Sequence, residues 1–208
     1  EDMNINSGIL EIIDKWFIDF KNGSSKTKSL LLIGSPGVGK TTLAHLLFKK
    51  YNYIIKEFNS SDVRSKSSIH ENINGLLSIA KLKAVKGEKD EKNIGIIMDE
   101  VDGMMKDDKG GMDEIISFIK FPIGKKKLLI ENNSSQSPVI PVICICNIGN
   151  TKINTINNLK KNCLEITLQD PSDIMLKKLL DKIITNEKII CDDTVKKEII
   201  NYSQKDYR

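Results

Sequence analysis

The stretch Gly34-Ser-Pro-Gly-Val-Gly-Lys-Thr41 limits the possible folds more than any other part of the chain. It satisfies G-x-x-x-x-G-K-[ST] at every fixed position. The apolar run Ser29-Leu-Leu-Leu-Ile33 precedes it, as a buried parallel strand would. From Thr42 to Lys50 the residues Leu43, Leu46, Leu47 and Lys50 recur at helical spacing. Strand, glycine loop and helix in that order are the context in which the motif binds phosphate. Gly34, Gly37 and Gly39 let the backbone turn tightly and approach an anion without a Cβ in the way. The N–H groups of Ser35, Pro36-flanking residues, Val38 and the helix start at Lys40, Thr41 and Thr42 are expected to face phosphate oxygens. Lys40 supplies a point charge for β- and γ-phosphates, and the Thr41 hydroxyl suits Mg²⁺. The pattern implies binding of a nucleotide through its phosphates.

A second element is expected at the end of another apolar run, Asn93-Ile-Gly-Ile-Ile-Met98, which leads into Asp99-Glu100. An α/β sheet presents ligand-binding groups at the carboxyl ends of its strands. There Asp99 would complete the Mg²⁺ shell, and Glu100 would orient and deprotonate an attacking water. Val139 to Cys146 predicts a further strand ending at Asn147. Two readings of Asn147 stand on position alone: a contact to the γ-phosphate or the water, or plain strand termination.

The other predicted elements are a helix over 8–20 (Ile9, Ile12, Ile13, Trp16, Phe17, Phe20), a strand over 53–58, and a helix over about 67–81 (Ile69, Ile73, Leu76, Leu77, Ala80). A helix follows from Met112 to Phe121 with Met112, Ile115, Phe118 and Ile119 on one side, then a short helix near 152–160 and a strand over 164–168. Residues 121–138 form a polar insertion whose Lys125-Lys-Lys127 reads as a solvated face. After Pro171 only helices are expected, over about 171–187 and 192–203, the second capped by Asp192 or Asp193. The fold class is therefore α/β with a five-stranded parallel sheet over 1–168, followed by the start of a small all-helical domain over 169–208.

The chain has 208 residues and a formal net charge of +4, which permits a nucleic-acid partner without requiring one. No apolar run is long enough to span a membrane, and no signal peptide is visible. The chain is expected to be a piece of a longer protein. Cys144 and Cys146 share one face of a strand, and with Cys163 and Cys191 they read as reduced thiols, not a zinc site.

Taken together, the phosphate loop (Walker A), a strand ending Asp-Glu (Walker B), a strand ending Asn and a helical tail resemble the AAA+ ATPases. Phe58-Asn-Ser-Ser-Asp-Val-Arg-Ser-Lys-Ser-Ser68, Met98-Asp-Glu-Val-Asp-Gly-Met104, Gly110-Gly-Met112 and Ile143-Cys-Ile-Cys-Asn147 resemble the large subunit of the clamp loader replication factor C. The resemblance covers about 8–208. It implies ATP and Mg²⁺ as cofactors, with Lys40 and Thr41 in the Walker A roles and Asp99 and Glu100 in the Walker B roles. It also makes Asn147 the first sensor. Asn59 falls where AAA+ proteins often restrain the Walker B glutamate. Asp206-Tyr-Arg208 resembles the lid motif whose arginine, here Arg208, reaches the γ-phosphate. Small clamp-loader subunits carry Ser-Arg-Cys before the fifth strand, where this chain has Lys161-Asn162-Cys163. That departure implies a subunit that receives a neighbour's arginine but does not donate one.

The implied partners are a sliding clamp, other AAA+ loader subunits in a hetero-oligomer, and primer–template DNA in the nucleus. Met112-x-x-Ile115-x-x-Phe118-Ile119 approximates the clamp-binding spacing and is expected to plug a hydrophobic pocket of the clamp. Arg64, Lys66 and Lys152 are expected near the DNA backbone. Two other readings remain open: a related loader, remodelling or helicase ATPase, and a scaffold subunit that holds nucleotide structurally.

Overall fold

The computed structural model describes residues 7–59, 71–79, 93–103, 111–120, 139–147 and 153–207. Five strands, β1 (Ser29–Gly34), β2 (Tyr53–Asn59), β3 (Asn93–Asp99), β4 (Val142–Asn147) and β5 (Leu164–Thr167), form one sheet in the order β2-β3-β4-β1-β5. Every pairing is parallel. Parallel neighbours need crossovers, and helices supply them, which is why the phosphate-loop strand ends up between β4 and β5, far from its neighbour in sequence.

The predicted strands form with small shifts at their ends. The fourth starts at Val142, not Val139. Pro141 has no N–H for the ladder, and its carbonyl receives the Ile96 N–H at 3.0 Å. The three inner strands are almost wholly buried, whereas in the edge strand β2 only Tyr53 is buried and the remaining residues are half-buried or exposed.

The period-two alternation of the strands divides the core between the two faces. Leu31, Ile33, Ile96, Met98, Val142, Cys144 and Cys146 face one layer, joined by Ile73, Leu76, Ile115, Ile116, Ile119 and Leu159 from helical segments. Leu30, Leu32, Ile97, Ile143, Ile145 and Ile166 face the other, where the Ser7–Lys21 helix brings Ile13, Trp16, Phe17 and Phe20. The Lys40–Lys50 helix adds Leu43, Ala44, Leu47 and Phe48 to that second layer. These two helices are also joined at the surface. Asp14 accepts from Lys50 Nζ at 2.8 Å and from Tyr51 Oη at 2.6 Å, and Phe17 stacks on Tyr51 with ring centroids 4.2 Å apart. Together these contacts seat the helix that begins with Lys40 and Thr41.

Cys144, Cys146 and Cys163 are buried and unbridged in the first core layer. Hydrogen bonding to Cys163 and burial push the Cys144 thiol well above its ordinary range, which leaves it inert.

One expectation is overturned. The helix predicted from Met112 forms over Gly111–Ile119, but Ile115 is 0% exposed and Ile119 3% exposed within the core. Ile116, which the spacing did not single out, is buried beside them. The apolar stripe is used to cover the sheet, so Ile115 and Ile119 are not an exposed plug for a clamp. Phe118 is half-buried, with Lys28 Nζ 3.9 Å from its ring centroid, and the Met112 side chain lies outside the described residues.

The Asp173–Glu187 and Asp193–Tyr202 helices follow the sheet. Ser172 caps the first by accepting from the Met175 N–H, and Asp192 caps the second by accepting from the Thr194 N–H. Lys196 of the second reaches Asp181 of the first at 2.7 Å. Neither helix is deeply buried: Leu176 is the one buried residue among them.

Candidate nucleotide site

The carboxyl ends of β1, β3 and β4 meet at one edge of the sheet. In the register Gly34 pairs with Asn147, and Asn59 at the end of β2 pairs with Asp99. Groups far apart in sequence therefore face one cavity of about 530 Å³. Pro36, Gly37, Gly39, Lys40, Thr41 and Thr42 line it from the phosphate loop, with Asp99, Glu100 and Asn147 opposite.

The loop has the backbone its glycines predict. Gly37 has φ +76° and Gly39 φ +87°, both in the left-handed region that a Cβ disfavours. A Cβ on Gly37 would also overlap the Asp206 carboxylate. Val38 does not line the cavity; its side chain is buried in the core, so only its backbone serves the loop. Lys40 is buried, and its Nζ donates to the carbonyls of Gly34 at 2.9 Å and Ser35 at 2.7 Å. These bonds hold the ammonium at the mouth of the loop.

Thr41 Oγ1 donates to Asp99 Oδ2 at 2.7 Å. One oxygen comes from the first turn of the Lys40–Lys50 helix and the other from the end of β3, and together they form the pair of hard donors a Mg²⁺ bound alongside phosphate would use. No cluster of three or more His, Cys, Asp or Glu side chains that could hold a metal by themselves occurs among the described residues. The donor set fits a cation that takes the rest of its ligands from phosphate and water, and the glycine cradle fits the phosphates themselves.

Asp99 Oδ1 accepts the Glu100 N–H at 2.7 Å, and the Gly103 N–H closes the turn on the Glu100 carbonyl at 2.8 Å. Glu100 itself sits at φ +52°, an uncommon conformation for a residue with a side chain, and it is exposed to the cavity. The turn thus leaves Glu100 lining the cavity that the phosphate loop also lines.

Sequence reasoning missed three residues here. Asp102, 6% exposed, accepts the Asn147 N–H on Oδ1 at 3.1 Å. Leu179 and Tyr207 line the cavity from the C-terminal helices, and the Tyr207 N–H donates to the Gly37 carbonyl at 3.1 Å. Burial raises the Tyr207 phenol above its ordinary pKa. A signal for Tyr207 was present in its place beside Arg208; none existed for Asp102 beyond its place two residues after Glu100. Arg208, Arg64, Lys66 and Lys152 lie outside the described residues.

A parallel sheet with a phosphate loop after β1 and an acidic pair after β3, both opening on one cavity, defines a P-loop nucleotide-binding protein. The strand order and the asparagine at the tip of β4 narrow that class. The chain belongs to the AAA family, the ATPase family associated with various cellular activities, whose model matches residues 30–169. It is 35% identical over 185 residues to replication factor C subunit 1 of Drosophila melanogaster, covering 87% of this chain and 17% of that protein. It is 30% identical over 199 residues to the replication factor C large subunit of Pyrobaculum aerophilum, covering 95% of this chain and 42% of that one. The chain thus spans less than half the length of these relatives. In fold it is similar to Thermotoga maritima RuvB, with a TM-score of 0.62 at 15% identity over 98% of this chain and 59% of that one.

Proposed function

We propose that this chain is the ATP-binding and ATP-hydrolysing part of a sliding-clamp loader of the replication factor C large-subunit type. In the whole protein it would use ATP to open a ring clamp and load it on primer–template DNA during replication in the nucleus. The observation that carries the reading is the 2.7 Å bond between Thr41 of the phosphate loop and Asp99 of β3, in a cavity that Glu100 and Asn147 also line. Similarity to replication factor C large subunits over most of the chain supplies the rest.

Each residue then has a role. The loop amides between Gly34 and Thr42, Pro36 apart, hold the phosphates, and Lys40 turns its ammonium from the Gly34 and Ser35 carbonyls toward the β- and γ-phosphate oxygens. Thr41 and Asp99 would hold Mg²⁺, whose positive charge would offset that of the phosphate oxygens. Glu100 takes a proton from the attacking water, and Asn147 positions that water or the γ-phosphate. A purely structural nucleotide site has no use for a base in the position of Glu100, which favours hydrolysis over a scaffold role. Residues 169–208 begin a helical lid, with Tyr207 against Gly37 and Leu179 at the cavity supporting that reading. Arg208 would reach the γ-phosphate from it. Lys161-Asn162-Cys163 lacks the arginine that small loader subunits offer to a neighbour, so this chain donates none, and its own site would be completed by an arginine received from a neighbouring subunit.

The test is ATP turnover by the full-length protein with its partner subunits, with and without a ring clamp and primed DNA. Stimulation by both together is expected. Turnover indifferent to both would overturn the loader reading, and fast turnover by the isolated chain would overturn the need for a neighbour's arginine.

A further inference from the structure

Asp102 follows the acidic pair by one turn and does not line the cavity, yet its carboxylate is buried. Its Oδ1 accepts the backbone N–H of Asn147 at 3.1 Å. The β3–β4 ladder ends at Met98–Cys144, short of Asn147, so beyond that point a side chain joins the two strand tips in place of backbone pairing. A neutral acceptor could satisfy one N–H with a smaller desolvation cost than a buried carboxylate. The charged acceptor makes a stronger bond. The same short turn is held at every point: Asp99 binds Thr41 and the Glu100 N–H, and the Gly103 N–H binds the Glu100 carbonyl. The turn carrying Glu100 is therefore tied to the phosphate-loop helix on one side and to the tip of β4 on the other.

We propose that Asp102 is a positioning residue for hydrolysis, pinning the tip of β4 so that the Asn147 side chain and the Glu100 carboxylate keep one spacing across the cavity. This rests on the ATPase reading above. Asp102 touches neither nucleotide nor water in this role; it acts through Asn147. Its removal should slow the chemical step and leave nucleotide affinity alone, because the phosphate loop keeps its own contacts.

The experiment is a double-mutant cycle on the full-length protein with its partner subunits, using Asp102→Ala, Asn147→Ala and the double variant, with kcat and nucleotide affinity measured separately. Asp102→Ala is expected to lower kcat by about 10-fold, the equivalent of one hydrogen bond to a charged group, with nucleotide affinity held to within about 2-fold of wild type. The double variant should be no slower than Asn147→Ala, since Asp102 has nothing left to position. Asp102→Asn keeps an acceptor oxygen in place and should recover kcat to within about threefold. Asp102→Ser, whose hydroxyl falls short of Asn147, should behave as alanine does and provides the comparison if the alanine variant does not fold. Equal slowing by Asp102→Ala in both backgrounds would overturn the proposal, as would a loss of nucleotide affinity at unchanged kcat. If the wild type itself turns over no ATP, the ATPase reading falls; if it does and the cycle is additive, only the role of Asp102 falls.

Discussion

Gly95 lies within β3, the strand that delivers Asp99, and its lack of a side chain is a packing requirement. An ideal Cβ there would lie 2.5 Å from Phe48 Cε1 and 2.7 Å from Cδ1 and Cζ. Carbon atoms in contact rest about 3.5–4.0 Å apart, so the ring or the strand must yield by about 1 Å. Neither has room. Phe48 is 0% exposed, packed edge-on against Phe17 and tilted against Tyr53, with centroids 6.0 and 5.5 Å away. Its helix also carries Lys40 and Thr41. Overpacking of this kind costs roughly 1–3 kcal/mol. At about 2–4 °C per kcal/mol for a chain of this size, a middle value of about 2 kcal/mol lowers Tm by about 4–8 °C. The assay is urea and thermal unfolding of wild type, Gly95→Ala, Phe48→Leu and the double variant. Phe48→Leu alone should destabilise through lost packing, but it frees the volume that the new methyl needs. The double variant should therefore be more stable than the sum of the singles by at least about 1 kcal/mol. Gly95→Ala within about 0.5 kcal/mol of wild type, or strict additivity in the cycle, would refute the reasoning.

Other consequences are testable on the same protein. Glu100→Gln should bind ATP as wild type does while hydrolysis falls by about 10²–10⁴-fold, measured by single-turnover kinetics. Thr41→Val should retain nucleotide binding in EDTA yet lose most of the gain in affinity that Mg²⁺ confers, read by titration with and without the metal. Burial lowers Lys28 from 10.5 to about 8, so between those values the unfolded chain binds more protons than the folded one. The contribution of Lys28 to stability should therefore rise with pH across that window by up to roughly 3 kcal/mol, read as wild type minus Lys28→Met in urea from pH 7 to 10.5. A pH-independent difference would contradict it. Ile115→Ala should destabilise the fold by about 2–5 kcal/mol, since the side chain is core; an unchanged Tm with weakened clamp binding would restore it as a clamp contact.

Much of the site could be read directly because its chemistry depends on contiguous residues. The phosphate loop needs glycines, a lysine and a hydroxyl at set spacing, and all lie between Gly34 and Thr41. Asp99 and Glu100 stand at the end of an apolar run long enough to be an inner strand, and in the structure they line the cavity at the carboxyl edge of the sheet. The helix from Met112 was harder. An apolar stripe at helical spacing describes a surface that must be covered, and it does not say whether the cover is this chain's own sheet or a partner. Ile115 and Ile119 are in the core because β3 and β4 present Ile96, Met98, Val142 and Cys144 on that side.

Local sequence thus determined the elements, the phosphate-binding loop and the acidic pair, because backbone conformation and strand burial depend on neighbours a few residues away. Strand order, and with it the meeting of Gly34, Asp99 and Asn147, was decided by tertiary packing, since parallel pairing joins segments separated by whole crossovers. The bond from Asp102 to Asn147 and the contact of Tyr207 with Gly37 belong to the same category. No local pattern encodes them; they exist because the sheet brings the ends of distant strands, and the helices after them, to one edge.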